Sequence, residues 1–322
     1  MENNVQTAHY KKLMKFNGDH STLVGLRILN NLLKVVTLGI YYPWARASVL
    51  KYMYGESEFM GTRFVFHGTG KEMFKGFIKA IGIIVSLYVL LILFSMTKNP
   101  FLLILGAIIF YFGILLLIPI AIHGSNRYRL SRTSWRGIHF GYRGNLKEFL
   151  KMFIRDALLT LITLGIYGSW FQVNVKKYVY GHTRFGNIEM SFTGRGVDLF
   201  LIRLKGIFLT IITLGIYSFW YMKDLIAFEI GNLKITQNGR KINLRSSFTA
   251  GQVFEMLVVN YLIVIFTLGI GTGIAINRIM RTAFENIEFD FEVDPVTLQQ
   301  TEEEFKDATG DDLAGMLDIS FF

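Results

Sequence analysis

The chain has 322 residues, 52% hydrophobic and 18% charged, with 34 Lys and Arg against 24 Asp and Glu and no Cys. A soluble domain cannot hide that much apolar surface, whereas lipid accepts it. The lack of cysteine excludes disulfides, thiol nucleophiles and Cys-based metal sites, and leaves the compartment open.

The polar segment Met1 to Asn17 has no apolar core before a cleavage site, so no signal peptide is expected. After it comes a run of about 18 mostly apolar residues that closes on Thr37-Leu38-Gly39-Ile40-Tyr41. The same phrase returns as Thr163-Leu164-Gly165-Ile166-Tyr167, Thr213-Leu214-Gly215-Ile216-Tyr217 and Thr267-Leu268-Gly269-Ile270. Gly39, Gly165, Gly215 and Gly269 are read as helix-ending turns, with left-handed glycine and Ile packed back as in a Schellman cap. Trp44, Trp170 and Trp220 follow five residues after the first three glycines, as interface anchors or as core packing. Between the first two phrases lie Ala80 to Thr97 and the uninterrupted apolar run Phe101 to Ile122, each long enough to be a span.

Polar segments with period-two alternation follow each apolar pair, as in Ile188, Met190 and Phe192 or Ile287, Phe289 and Phe291. These predict amphipathic strands, with Leu13 to Gly18 and Asn286 to Val293 left to pair and close the array. The spacing predicts five helix-turn-helix-strand units at 12–70, 72–144, 146–194, 197–247 and 251–292, in one membrane domain at 1–292. An acidic tail is expected at 293–322, through Glu302-Glu303-Glu304 and Asp311-Asp312 to a short anchor at Leu317 to Phe322. Twelve acidic residues lie from Glu285 onward with Lys306 as their one basic companion, so the chain before them is strongly basic. That excess is read as the positive-inside rule and contact with anionic lipid, not nucleic acid. Six spans would put basic segments on both sides. The reading is therefore a polytopic α-helical membrane protein of about ten helices, in quasi-repeated hairpins with Gly turns. Short cytoplasmic β-hairpins and both termini would face the cytoplasm.

The string Tyr41-Tyr42-Pro43-Trp44-Ala45-Arg46, with Phe16-Asn17-Gly18 before it and Phe66-His67-Gly68-Thr69-Gly70 after it, resembles the YjgN-type family of bacterial inner-membrane proteins, a domain of unknown function. The resemblance covers roughly residues 12 to 292. It implies an inner-membrane location and supplies no activity or catalytic residue.

One constellation remains. Arg27, Asn30, Arg155, Asp156, Arg203, Lys205 and Asn260 precede their turn glycines by 9 to 12 residues. Arg46, Gln172, Asn174, Lys176, Lys223, Asp224, Asn277 and Arg278 follow theirs by 7 to 11. Antiparallel helices would bring both sets to one depth, as a polar pathway or as an interface where Lys and Arg snorkel to phosphates. Gly68-Thr69-Gly70-Lys71 lacks the spacing of a phosphate loop, and the six His show no helical i, i+4 pair. No enzyme, metal or cofactor is expected. The expected function is a transporter or channel for a small anionic solute. The alternative is a non-transporting scaffold or lipid-binding protein that recruits a protein partner through its strands and acidic tail. Anionic membrane lipids are the expected partners in either case, with homo-oligomers allowed.

Overall fold

The computed structural model describes residues 10–301. The acidic stretch from Glu302 and the anchor at Leu317 to Phe322 lie outside the described residues. Among the described residues ten strands and ten helices follow one fixed order, in which helix pairs alternate with strand hairpins. Strand β1 (Met14–Phe16) leads into helices α1 (His20–Val36) and α2 (Tyr42–Glu56), then the hairpin β2 (Ser57–Phe59) and β3 (Thr62–Phe66). The next pair is α3 (Gly70–Met96) and α4 (Pro100–Ser131), followed by β4 (Thr133–Trp135) and β5 (Ile138–Tyr142). Then come α5 (Leu146–Ile162), α6 (Gly168–Gly181), β6 (Thr183–Phe185) and β7 (Ile188–Phe192). The chain continues through α7 (Gly196–Ile212), α8 (Ser218–Asn232), β8 (Leu233–Gln237) and β9 (Arg240–Ser246). It ends with α9 (Ala250–Phe266), α10 (Thr272–Glu285) and β10 (Ile287–Phe289).

The expectation of a polytopic protein with about ten membrane helices and separate short β-hairpins is overturned. Among the described residues, only α3 and α4 are long and apolar enough to cross a bilayer. At 1.5 Å per residue the other helices reach at most about 25 Å, short of the roughly 30 Å of hydrocarbon. The apolar windows of α3 and α4 are 6% and 11% buried, so these are not core helices of a soluble domain. The strands are not isolated hairpins either. They form one antiparallel sheet in strict chain order, because each hairpin also pairs with the strand beyond the next helix pair. An isolated bridge between Lys11, three residues ahead of β1, and Phe289 of β10 nearly closes the sheet.

The sheet interior is filled by Trp135, Phe185, Ile188, Ile235, Ile242, Leu244 and Phe289. Val293 and Leu298 complete that core from the segment after β10. This segment runs along the hairpin turns: Gln237 bonds the backbone of Asp294, Asn187 the carbonyl of Thr297, and Thr301 the carbonyl of Gly186. The helices close a ring above the sheet, each packed on the next and α10 on α1.

Four of the five helix turns share one geometry. Gly39, Gly165, Gly215 and Gly269 have φ between 88° and 96°, but the left-handed C′ residue is the preceding Leu, at φ 49° to 51°. The Gly amide donates to the carbonyl five residues back, the long bond of a Schellman motif. The Thr hydroxyl donates to the carbonyl four residues back and accepts from the amide four residues on, as Thr37 does with Leu33 and Tyr41. Thr163, Thr213 and Thr267 repeat both bonds. Trp44 lies against Gly70 and 5.0 Å from the Phe74 ring, and Trp170 lies likewise against Gly196 and Phe200. A β-carbon on either glycine would collide with the indole. Trp220 is 44% exposed and stacks on Tyr217.

Candidate functional site

In three hairpins the polar residues nine positions before and after the turn glycine meet across the hairpin. Asn30 in α1 donates to the Ser48 hydroxyl of α2 at 2.9 Å. Asn174 in α6 donates to Asp156 of α5 at 2.7 Å, and Arg278 in α10 donates to Asn260 of α9 at 3.1 Å. Asn30, Asp156 and Asn260 are all buried. In the α7–α8 hairpin the equivalent position is Gly206, and the ring of Tyr221 fills the space. Buried polar groups must be paired, so these contacts set the register of each hairpin.

A second set links neighbouring hairpins. Arg27 donates to Thr272 of α10 at 3.2 Å, and Arg203, at the matching position of α7, donates to Ser169 and Gln172 of α6. Glu229 of α8 pairs with Lys176 and accepts from Gln172. Arg278 also pairs with Glu255 at 2.7 Å, beside the π-turn Glu255–Val259 in α9. Asn277 is fully buried and donates to the Asp19 carbonyl at 2.6 Å, tying α10 to the start of α1. Arg155 reaches outward yet pairs with Asp156 at 2.8 Å, Lys223 pairs with Asp224, and Lys205 is exposed. The polar residues are thus distributed over several helix–helix contacts; Asn260 and Arg278 line a small pocket of 220 Å³ with Glu255 and Glu285, while Arg27, Asn30 and Arg46 share an open cleft.

That cleft has a volume of 460 Å³. The i, i+4, i+7 face of α1 contributes Arg27, Asn31 and Lys34; α2 contributes Tyr42, Arg46, Val49 and Met53; Arg129 of α4 and Ile276 of α10 close it. Four cations and no carboxylate line it, beside an apolar wall. The volume is that of a small-molecule site, and guanidinium groups of this kind chelate phosphate or carboxylate. Lys34, Asn31 and Arg129 escaped sequence reasoning. Lys34 stands among apolar neighbours near a turn, and Arg129 lies where the repeated phrase is missing. The helical spacing of Arg27, Asn31 and Lys34 was the available signal. Among the described residues no cluster of His, Asp and Glu could hold a metal ion.

Comparison with known proteins agrees with this membrane setting. The family described as bacterial protein of unknown function (DUF898) matches residues 11–188, 140–201, 187–224 and 226–316. The inner membrane protein YjgN of Escherichia coli K12 is 27% identical over 161 residues, 50% of this chain and 38% of that protein. The protein of the same name from Escherichia coli O157:H7 is 30% identical over an equal stretch, and that of Salmonella typhimurium 23% over 180 residues. The matched stretches thus span about two fifths of these relatives. No solved structure matches the chain.

Proposed function

Because the chain belongs to the DUF898 family of bacterial proteins and is an inner-membrane protein, we propose that it binds a phosphate-bearing anionic amphiphile in the cleft of its first hairpin. The observation that carries this reading is the lining itself. Arg27, Lys34, Arg46 and Arg129 line it together with the apolar side chains of Val49, Met53 and Ile276. A headgroup with an attached hydrocarbon satisfies both, and a fully hydrated small anion satisfies only one. Transport across the bilayer is the weaker reading, because among the described residues α3 and α4 alone are long and apolar enough to cross it, too few to enclose a path. The function is therefore lipid binding at the membrane.

In the membrane arrangement that goes with this function, α3 and α4 cross the bilayer. No charged residue separates Lys79 from Lys98, a run of about 28 Å along the helix axis. The other four hairpins enter the bilayer from the cytoplasmic side and end within it, and the basic sheet layer stays in the cytoplasm. Their tips are apolar and open: Leu38, Leu164, Leu214 and Leu268 are 92–94% exposed.

Native mass spectrometry of protein released from gently extracted membranes tests the cleft. The wild type should retain an anionic lipid, and Arg27→Gln with Arg46→Gln should lower that retention by about tenfold or more. Equal retention in the double variant would contradict the assignment.

A further inference from the structure

A second anion-reading surface lies on the outside of the molecule, away from the cleft. Lys71, Lys75 and Lys79 of α3 are exposed and spaced by four residues, and so are Lys147, Lys151 and Arg155 of α5. Both sets occupy the second, sixth and tenth positions of their helices, and α4 packs between those two helices. The same positions hold Ser21, Gly25 and Leu29 in α1 and Gly251, Glu255 and Val259 in α9, with only Lys205 charged in α7. The cations therefore form a one-sided patch flanking the long hairpin, not an even belt. Like charges four residues apart oppose the helix that carries them.

Directly beyond the α3 column the surface changes character. A shallow groove of 590 Å³ starts at Lys79 and continues along α3 over Gly82, Ile83, Ser86, Leu87 and Leu90. Those positions fall on one helix face and run about 16 Å along the helix axis from Lys79 to Leu90. Gly82 leaves the groove floor open, since nothing lies within 4 Å of where its β-carbon would stand. A cation at the mouth of an apolar channel on a lipid-facing helix has the shape of a phospholipid, phosphate at one end and acyl chain at the other.

We infer that this face of α3 holds an anionic phospholipid of the surrounding bilayer, with its phosphate at Lys75 and Lys79, its acyl chain along Gly82 to Leu90, and the α5 column gathering further anionic headgroups beside it. Soluble phosphate supplies the charge but not the chain, so the groove makes the lipid the occupant. The site is separate from the cleft and stands or falls without it.

The test is lipid titration of the full chain in detergent, followed by native mass spectrometry, with phosphatidylglycerol against phosphatidylcholine. The wild type should prefer phosphatidylglycerol. Replacing Lys75, Lys79, Lys147 and Lys151 by Gln should lower that preference by at least about tenfold. The matching Lys→Arg variant should keep it. Gly82→Phe leaves every charge in place and fills the groove, so it should weaken binding of both lipids at this site. A control that neutralises the exposed sheet cations Lys12, Lys15, Arg63 and Lys241 should retain the preference. Equal loss in that control, no loss in the column variant, or full displacement of the lipid by inorganic phosphate would overturn the assignment. In the Arg27→Gln, Arg46→Gln background, where the cleft no longer retains lipid, the column variant should still lower the remaining phosphatidylglycerol preference, which separates the two sites.

Discussion

A leucine at positive φ, exposed and repeated four times, is the most telling residue of the molecule. The left-handed conformation costs an L-residue roughly 1–2 kcal/mol, and glycine or asparagine would avoid most of that. An exposed Leu there makes sense only where its surroundings reward an apolar side chain. Leu214→Asn separates the two effects. In detergent it should raise thermal stability by about 1 kcal/mol, while weakening retention in bilayers during alkaline extraction. A tip lying in water would gain stability and lose no retention. Another residue-scale prediction concerns His67, outside the membrane, whose Nε2 lies 2.8 Å from the Ser134 hydroxyl. Burial, then His139, Arg132 and Lys51, push its pKa below the ordinary imidazole value. The folded state therefore resists this proton more than the unfolded chain does. Its contribution is complete above the ordinary imidazole pKa and is lost as pH falls through that value toward the lowered folded one. Melting curves from pH 8 to pH 5 should flatten in His67→Gln, about where imidazole titrates; an unchanged slope would place the effect elsewhere.

At the scale of the element, the hairpin is a device that fixes two short helices by one polar contact and one cap. The contact at nine residues either side of the turn is Asn30–Ser48, Asp156–Asn174 or Asn260–Arg278. Asn174→Ala leaves the fully buried Asp156 with Arg155 as its remaining charged partner, and should destabilise the protein by about 1–3 kcal/mol. Ser48→Ala removes a neutral partner that Asn30 replaces in part with the Ala45 carbonyl, and should cost less. Equal losses in chemical denaturation would deny the charged contact its special standing. Much of this element was legible. Thr-Leu-Gly announced a helix stop, and the alternation of Ile188, Met190 and Phe192 announced a strand. Two things were hidden. The turn glycines take positive φ as expected, but the Leu before each does so too and occupies C′, because propensity alone never selects a strained Leu. The cleft was hidden because Arg129 comes from a helix without the repeated phrase, and only folding brings it to α1 and α2.

For the whole molecule, hydropathy overstated the membrane and understated the sheet. Helices of 14 to 17 residues in four hairpins carry enough exposed apolar surface to read as spans, yet they are too short to cross unaided. The strands looked like separate hairpins because three- to seven-residue pieces show no partner in sequence. Their long-range pairing, β3 with β4 or β7 with β8, arises only when successive hairpins stand side by side. What results is a nearly closed sheet filled by its own side chains and by the segment from Val293 to Leu298, with a ring of short hairpins and a single long one.

The absence of native cysteine makes the direct measurement simple. Single cysteines at position 98 and at the tip leucines 38, 164, 214 and 268 would be probed with a membrane-impermeant maleimide from the periplasmic side, in intact cells. Lys98→Cys should label, and the four Leu→Cys variants should label only after the membrane is dissolved. Labelling of all five from outside would contradict the two-span arrangement and restore five full crossings.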